Sequence, residues 1–157
     1  MRIINYFIIF GLLVLLSNCG FKIVNESDFM NFKITNLTSS GEQRINYKLK
    51  NLLLTGSQDN NENLITLDLR TQKKKEVKEK NIKNEITKYN VIIIVKVEIK
   101  VLDNLKVDNF VVKKDGEYNV STNHSQSLSN EKKLINNLVV DLGELILNKI
   151  SLKINDI

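Results

Sequence analysis

The run from Tyr89 to Val101 constrains this chain more than any other feature. Tyr89, Val91, Ile93, Val95, Val97, Ile99 and Val101 recur at every second position, which is the side-chain period of a β-strand. The alternate positions read Ile92 and Ile94, then Lys96, Glu98 and Lys100. Such a strand is expected to be buried on both faces at its start and half-exposed at its end. It needs a further layer over its continuous apolar face.

The flanking segments supply that layer. Phe29 to Asn36 reads as a short strand with Met30, Phe32 and Ile34 on one face. Ser39 or Ser40 can cap a helix over about 40–54 that carries Ile45, Leu49, Leu52 and Leu53 on one stripe and ends near Gly56. A polar loop, 58–63, leads to Ile65, Leu67 and Leu69, which alternate with Thr66, Asp68 and Arg70 as a second strand. The charged stretch 73–84 reads as an exposed turn or strand extension. After the long strand, Asp103-Asn104 fits a tight hairpin. The return strand carries Leu105, Val107, Phe110, Val112, Tyr118 and Val120, and its phase change after Val107 suggests a bulge. Ser129 and Glu131 then open a helix over about 130–150, with Leu134, Ile135, Leu138, Val139, Leu142, Leu145, Ile146 and Ile150 on a wide stripe. The expected fold is α+β: a two-layer sandwich of two helices on a four-stranded, mostly antiparallel sheet, in the order β-α-β-β-β-α.

Composition removes several function classes. The 157 residues include one Cys and one His, which excludes an internal disulfide and disfavours a zinc site of the usual type. No metal or other cofactor is therefore expected. The net charge of +5 invites a nucleic-acid partner. Lys far outnumbers Arg, Ile and Asn are abundant and Ala is absent, a bias that dilutes any such signal, so nucleic acid is not expected as a partner. His124 lies in the polar stretch Asn123-His124-Ser125 and reads as a solvated loop residue. Ser57 and Ser121 lack the glycines of a nucleophile elbow. The scattered glycines form no phosphate-binding loop.

The N-terminus is more specific. Arg2 precedes an apolar run, Tyr6 to Leu16, interrupted only by Gly11. That is a charged region followed by a stretch too short to cross a membrane comfortably. Leu16-Ser17-Asn18-Cys19-Gly20 follows and resembles the lipobox of bacterial lipoproteins. The resemblance implies a signal peptide over 1–18 and a mature domain over 19–157 that begins at an acylated Cys19. Several acyl chains there would anchor the protein stably, since each buried methylene contributes about 0.8 kcal/mol. In such signals Gly20, where an Asp would retain the protein in the inner membrane, favours the outer membrane.

Cys19-Gly20-Phe21, the early strand and helix of 28–55, the long strand from Tyr89 to Leu102, and Tyr118-Asn119-Val120-Ser121 before an acidic helix start at Glu131 occur in one order. In that order the chain resembles the LptE family of lipopolysaccharide-assembly lipoproteins, in its alphaproteobacterial form. A Pro frequent after the Cys-Gly-Phe start is missing. The family's Ala positions near the last helix start hold Ser, Leu and Lys. The resemblance implies no enzymatic activity. It implies a lipid-anchored protein on the periplasmic side of the outer membrane that plugs and helps assemble the export barrel LptD and binds lipopolysaccharide during its transfer. A generic outer-membrane scaffold, or an accessory factor of barrel assembly, is the alternative.

Lys73, Lys74, Lys75, Lys78, Lys80 and Lys83 form the candidate binding patch. Lipopolysaccharide carries phosphates and acidic sugars that Lys meets as a point charge. Glu76 and Glu79 dilute the run, and the same residues also read as a solvated hairpin tip.

Overall fold

The computed structural model describes residues 31–57, 63–103 and 105–155. Cys19 and the signal segment lie outside them, as do Phe29 and Met30. The elements are β1 (Lys33–Gly41), α1 (Gln43–Gly56), β2 (Leu64–Lys80), β3 (Ile86–Val101), β4 (Val107–Asn119) and α2 (His124–Asn155). The order β-α-β-β-β-α and the α+β class are as expected. The strands follow chain order across one open sheet, β1-β2-β3-β4. β1 is parallel to β2, with α1 making the crossover, and the other pairs are antiparallel.

The long strand buries one face as its alternation dictates, but its start is not buried on both faces as expected. Val91, Ile93, Val95, Val97, Ile99 and Val101 are buried, Ile92 and Ile94 are half-buried, and Lys96, Glu98 and Lys100 are exposed. Ile65, Leu67 and Leu69 of β2 lie opposite Val101, Ile99 and Val97 on the same inner face. Both helices pack over that face. α1 contributes Ile45, Leu49 and Leu53 to the core, and α2 contributes Leu138, Val139, Leu142, Ile146 and Ile150. At Gly116, opposite Val91, a Cβ would lie 2.7 Å from Leu134 Cδ1, so the missing side chain lets α2 settle close onto β4. Among the described residues, no helix covers the other sheet face.

Four local readings are corrected. β1 begins at Lys33 and runs on through Ser39 and Ser40, which therefore do not cap α1. The chain turns at Gly41 (φ +94°), and Glu42 is the N-cap residue, without a side-chain cap bond. Its amide instead donates to Thr71 Oγ1 at 3.0 Å, and that buried hydroxyl donates to Asn46 Oδ1 at 2.7 Å. This polar pin ties the start of α1 to the sheet.

The bulge lies in β1, between Ile34 and Asn36, and not in β4. It lets Ile34 and Leu37 both reach the core although they are three residues apart. β4 keeps one register throughout, because Val107 and Val111 are exposed apolar residues of the outer face. The β3–β4 connection is longer than a two-residue turn: Val101 N–H donates to Lys106 O, and Leu105 has φ +54°. Asp103 lies in this loop; Asn104 is outside the described residues.

α2 starts at His124, not near 130. Asn123 Oδ1 accepts the amides of Ser125 and Gln126, the usual N-cap arrangement. His124 is thus an exposed first-turn residue rather than a loop residue.

Candidate functional site: a basic hairpin arm

β1 stops pairing at Thr71, whereas β2 continues to Lys80. Among the described residues, the last nine residues of β2 therefore have a free edge over about 30 Å. β4 stops opposite Lys88, so the turn from Asn81 to Glu85 stands beyond both neighbours of the hairpin. The segment read as a turn or strand extension is both: extension to Lys80, then turn. Residues 73–88 hold seven lysines and three glutamates, so this arm carries +4 of the chain's net +5. Elsewhere the charges nearly cancel.

Register sorts the six candidate lysines. Lys73 and Lys75 face the helices, opposite Ile93 and Val91. Lys75 is engaged within the fold: its Nζ is 2.7 Å from Glu131 Oε2 of α2 and 4.2 Å from the Tyr89 ring centroid. Tyr89 stacks on Tyr118 at 5.7 Å, and Tyr118 Oη donates to the same Glu131 oxygen at 2.9 Å. Lys74 is on the outer face and exposed, with no partner among the described residues. Lys78 pairs with Glu117 at 3.3 Å. Lys80 Nζ donates to Asn84 Oδ1, and Lys83 sits exposed in the turn. Lys88, not singled out from the sequence, pairs with Glu79 and Glu117. The arm thus presents Lys74, Lys78, Lys80 and Lys83 outward, while Lys75 fastens it to α2.

The Lys75–Tyr118–Glu131 cluster has opposed electrostatics. Burial alone would raise the Glu131 carboxyl, but the bonds from Lys75 and Tyr118 hold it below the ordinary carboxylate value. Burial alone would lower Lys75, and Glu131 and Tyr118 hold it above its ordinary value. The Glu131 contribution to stability is therefore complete above the unfolded carboxylate pKa, about 4.3, and is lost as pH falls through the depressed folded value. The Lys75 contribution is present below about 10.4 and is lost as pH rises through the raised folded value. Glu131→Gln is expected to cost about 1 kcal/mol at pH 7. In urea titrations the gap to wild type should narrow as pH falls below the unfolded carboxylate pKa, about 4.3. A gap that persists unchanged at pH 3 would mean that packing, not charge, holds the cluster.

No protein-family model matches the sequence, and a comparison with curated proteins gave no match. Solved structures do match. Rare lipoprotein B from Shewanella oneidensis superposes with a TM-score of 0.57 at 15% identity, covering 76% of this chain and 97% of that one. Lipoprotein B from Nitrosomonas europaea gives 0.61 at 13% identity, over 84% and 90%. A minor lipoprotein from Acinetobacter baumannii gives 0.50 at 15% identity, over 79% and 94%. At these identities the likeness is one of fold: the chain has an architecture similar to that of these bacterial lipoproteins over most of their length.

Proposed function

We propose that the chain is a lipid-anchored, non-enzymatic outer-membrane lipoprotein that partners the lipopolysaccharide-export barrel LptD and binds lipopolysaccharide through its basic arm. The concentration of +4 in residues 73–88 is the observation that carries the ligand half of this reading. A cluster of lysines on a projecting hairpin suits a lipid rich in phosphate, because such attraction needs few positioned charges and weakens with salt. The anchoring half rests on the lipobox-like Leu16 to Gly20 and on the fold shared with the lipoprotein structures. The barrel half is supported by the outer sheet face, which no helix covers among the described residues. There Ile92, Ile94, Val107 and Val111 lie among charged neighbours, a mixed surface suited to a hydrated barrel wall. A scaffold or accessory factor of barrel assembly would use that face without needing the arm.

The arm gives the test. Replacing Lys74, Lys78, Lys80 and Lys83 together by Gln spares Lys75 and its contacts with Glu131. At about 1 kcal/mol per lysine near an anionic surface, screened and partly paired, the variant should bind lipopolysaccharide on the order of 100-fold more weakly at low salt. Its salt dependence should flatten while its thermal stability stays unchanged. Wild-type affinity and salt slope in this variant would leave the arm a solvated hairpin.

A further inference from the structure

The tip of the arm carries an apolar residue that nothing in the fold requires. Ile82 is fully exposed, at 104% of its reference area. The turn around it is tightly built. Asn81 Oδ1 accepts the amides of Lys83 and Glu85 at 2.9 and 3.0 Å, and Asn81 Nδ2 donates to Glu85 Oε2. Asn84 closes the turn with φ +62° and accepts from Lys80. Ile82 contributes to none of these bonds, so a polar residue would serve the turn equally. A single exposed apolar side chain is ordinary on a protein surface. This one differs in being held at the outermost point of the arm that bears +4 of the net charge, with Lys80 and Lys83 beside it.

We propose that this turn is a membrane-docking tip: Ile82 enters the acyl boundary of a phosphate-bearing anionic bilayer while Lys74, Lys80 and Lys83 meet its headgroups. Apolar burial and headgroup attraction add in such a contact, and the rigid turn leaves little ordering to be done on docking. Nucleic acid offers the same phosphates but no apolar layer for Ile82. The tip is also remote from Asn31, where the described residues begin. Asn31 meets Asn63 at the base of β2, and the 17 residues of β2 then run about 55 Å to the turn. The proposal uses the same arm as the lipopolysaccharide reading but does not depend on that ligand.

The chain contains no Trp, so Ile82→Trp in the full-length protein places a single fluorophore at the tip, whatever the N-terminal segment does. With vesicles of phosphatidylcholine and phosphatidylglycerol at 7:3, Trp emission should shift to the blue by about 10 nm and become shielded from acrylamide. With phosphatidylcholine alone it should not. Adding Lys80→Gln and Lys83→Gln should abolish the shift. Val140→Trp, on the exposed side of α2, should stay wet throughout. A Trp at position 82 that remains water-exposed on the anionic vesicles overturns the proposal, and so does an equal shift on neutral vesicles or at position 140. The two readings fail separately. Lysine-dependent lipopolysaccharide affinity with a wet tip on phospholipid rejects insertion alone, whereas insertion without lipopolysaccharide affinity rejects only the ligand.

Discussion

Leu142→Asp is expected to abolish cooperative folding of the domain. Leu142 lies midway along α2 with no exposed surface, in the core that α2 shares with Leu49, Leu53 and Val95. Removing the leucine forfeits its burial and leaves poorly filled space, a loss of about 2–5 kcal/mol. The carboxyl adds several more, because among the described residues no cation lies in that core to pair it. Together these approach the whole stability of a typical domain, about 5–15 kcal/mol. The variant should show no unfolding transition in urea and no near-ultraviolet circular dichroism. Val140→Asp, two residues away at 44% exposure, should change the stability by no more than about 0.5 kcal/mol. Equal effects at the two positions would mean that α2 packs by another face.

Gly41→Ala is the second large effect, and its cause is the backbone. Gly41 has φ +94°, and a Cβ built there would lie 2.0 Å from the carbonyl oxygen of Thr71. Neither partner can yield cheaply, because Gly41 pairs with Thr71 in the β1–β2 register and Thr71 Oγ1 receives the first amide before α1. Strain of this kind costs about 1–3 kcal/mol at the residue itself, and moving the helix start adds to it. A loss of about 3 kcal/mol is expected in urea unfolding. Gly143→Ala is the contrast. The nearest atoms its Cβ would meet are side-chain atoms of Leu52, at 3.3 Å and beyond, in the interior of a helix. There the gain of about 1 kcal/mol in helix propensity offsets the tighter fit. If Gly41→Ala proves as mild as Gly143→Ala, the turn joining β1 to α1 differs from the one described.

These positions also mark what could be read from the sequence. The alternation from Tyr89 to Val101 and the wide stripe on α2 reported the sheet and its covering helix, because both follow from burial on one face. Element ends were less legible. Ser39 and Ser40 suit a helix cap and a strand edge alike, and Gly41 decides between them only through a contact with Thr71, thirty residues on. The first turns of α2, His124 to Asn130, carry no apolar stripe, since Leu128 is exposed and only the Asn123 cap signals the start. A phase change in β4 arises only if Val107 is counted with the core, and Val107 is exposed.

The candidate site was legible as a charged run but not as a geometry. Lys75 and Glu131 are 56 residues apart, and only the cross-strand register places Lys75, Tyr89 and Tyr118 on one face. Given the strand extension, parity alone would have separated Lys73 and Lys75 from Lys74. Ile82 is not marked in the sequence among its charged neighbours, because a one-residue apolar tip has no periodicity.

Affinity purification of the lipidated protein from its own membranes, with identification and stoichiometry of whatever comes with it, tests the central claim most directly. The account predicts a one-to-one complex with the large outer-membrane barrel of the lipopolysaccharide exporter, and that this complex survives replacement of the arm lysines. Recovery of the protein without that barrel, or with a barrel-assembly machine in its place, would contradict it.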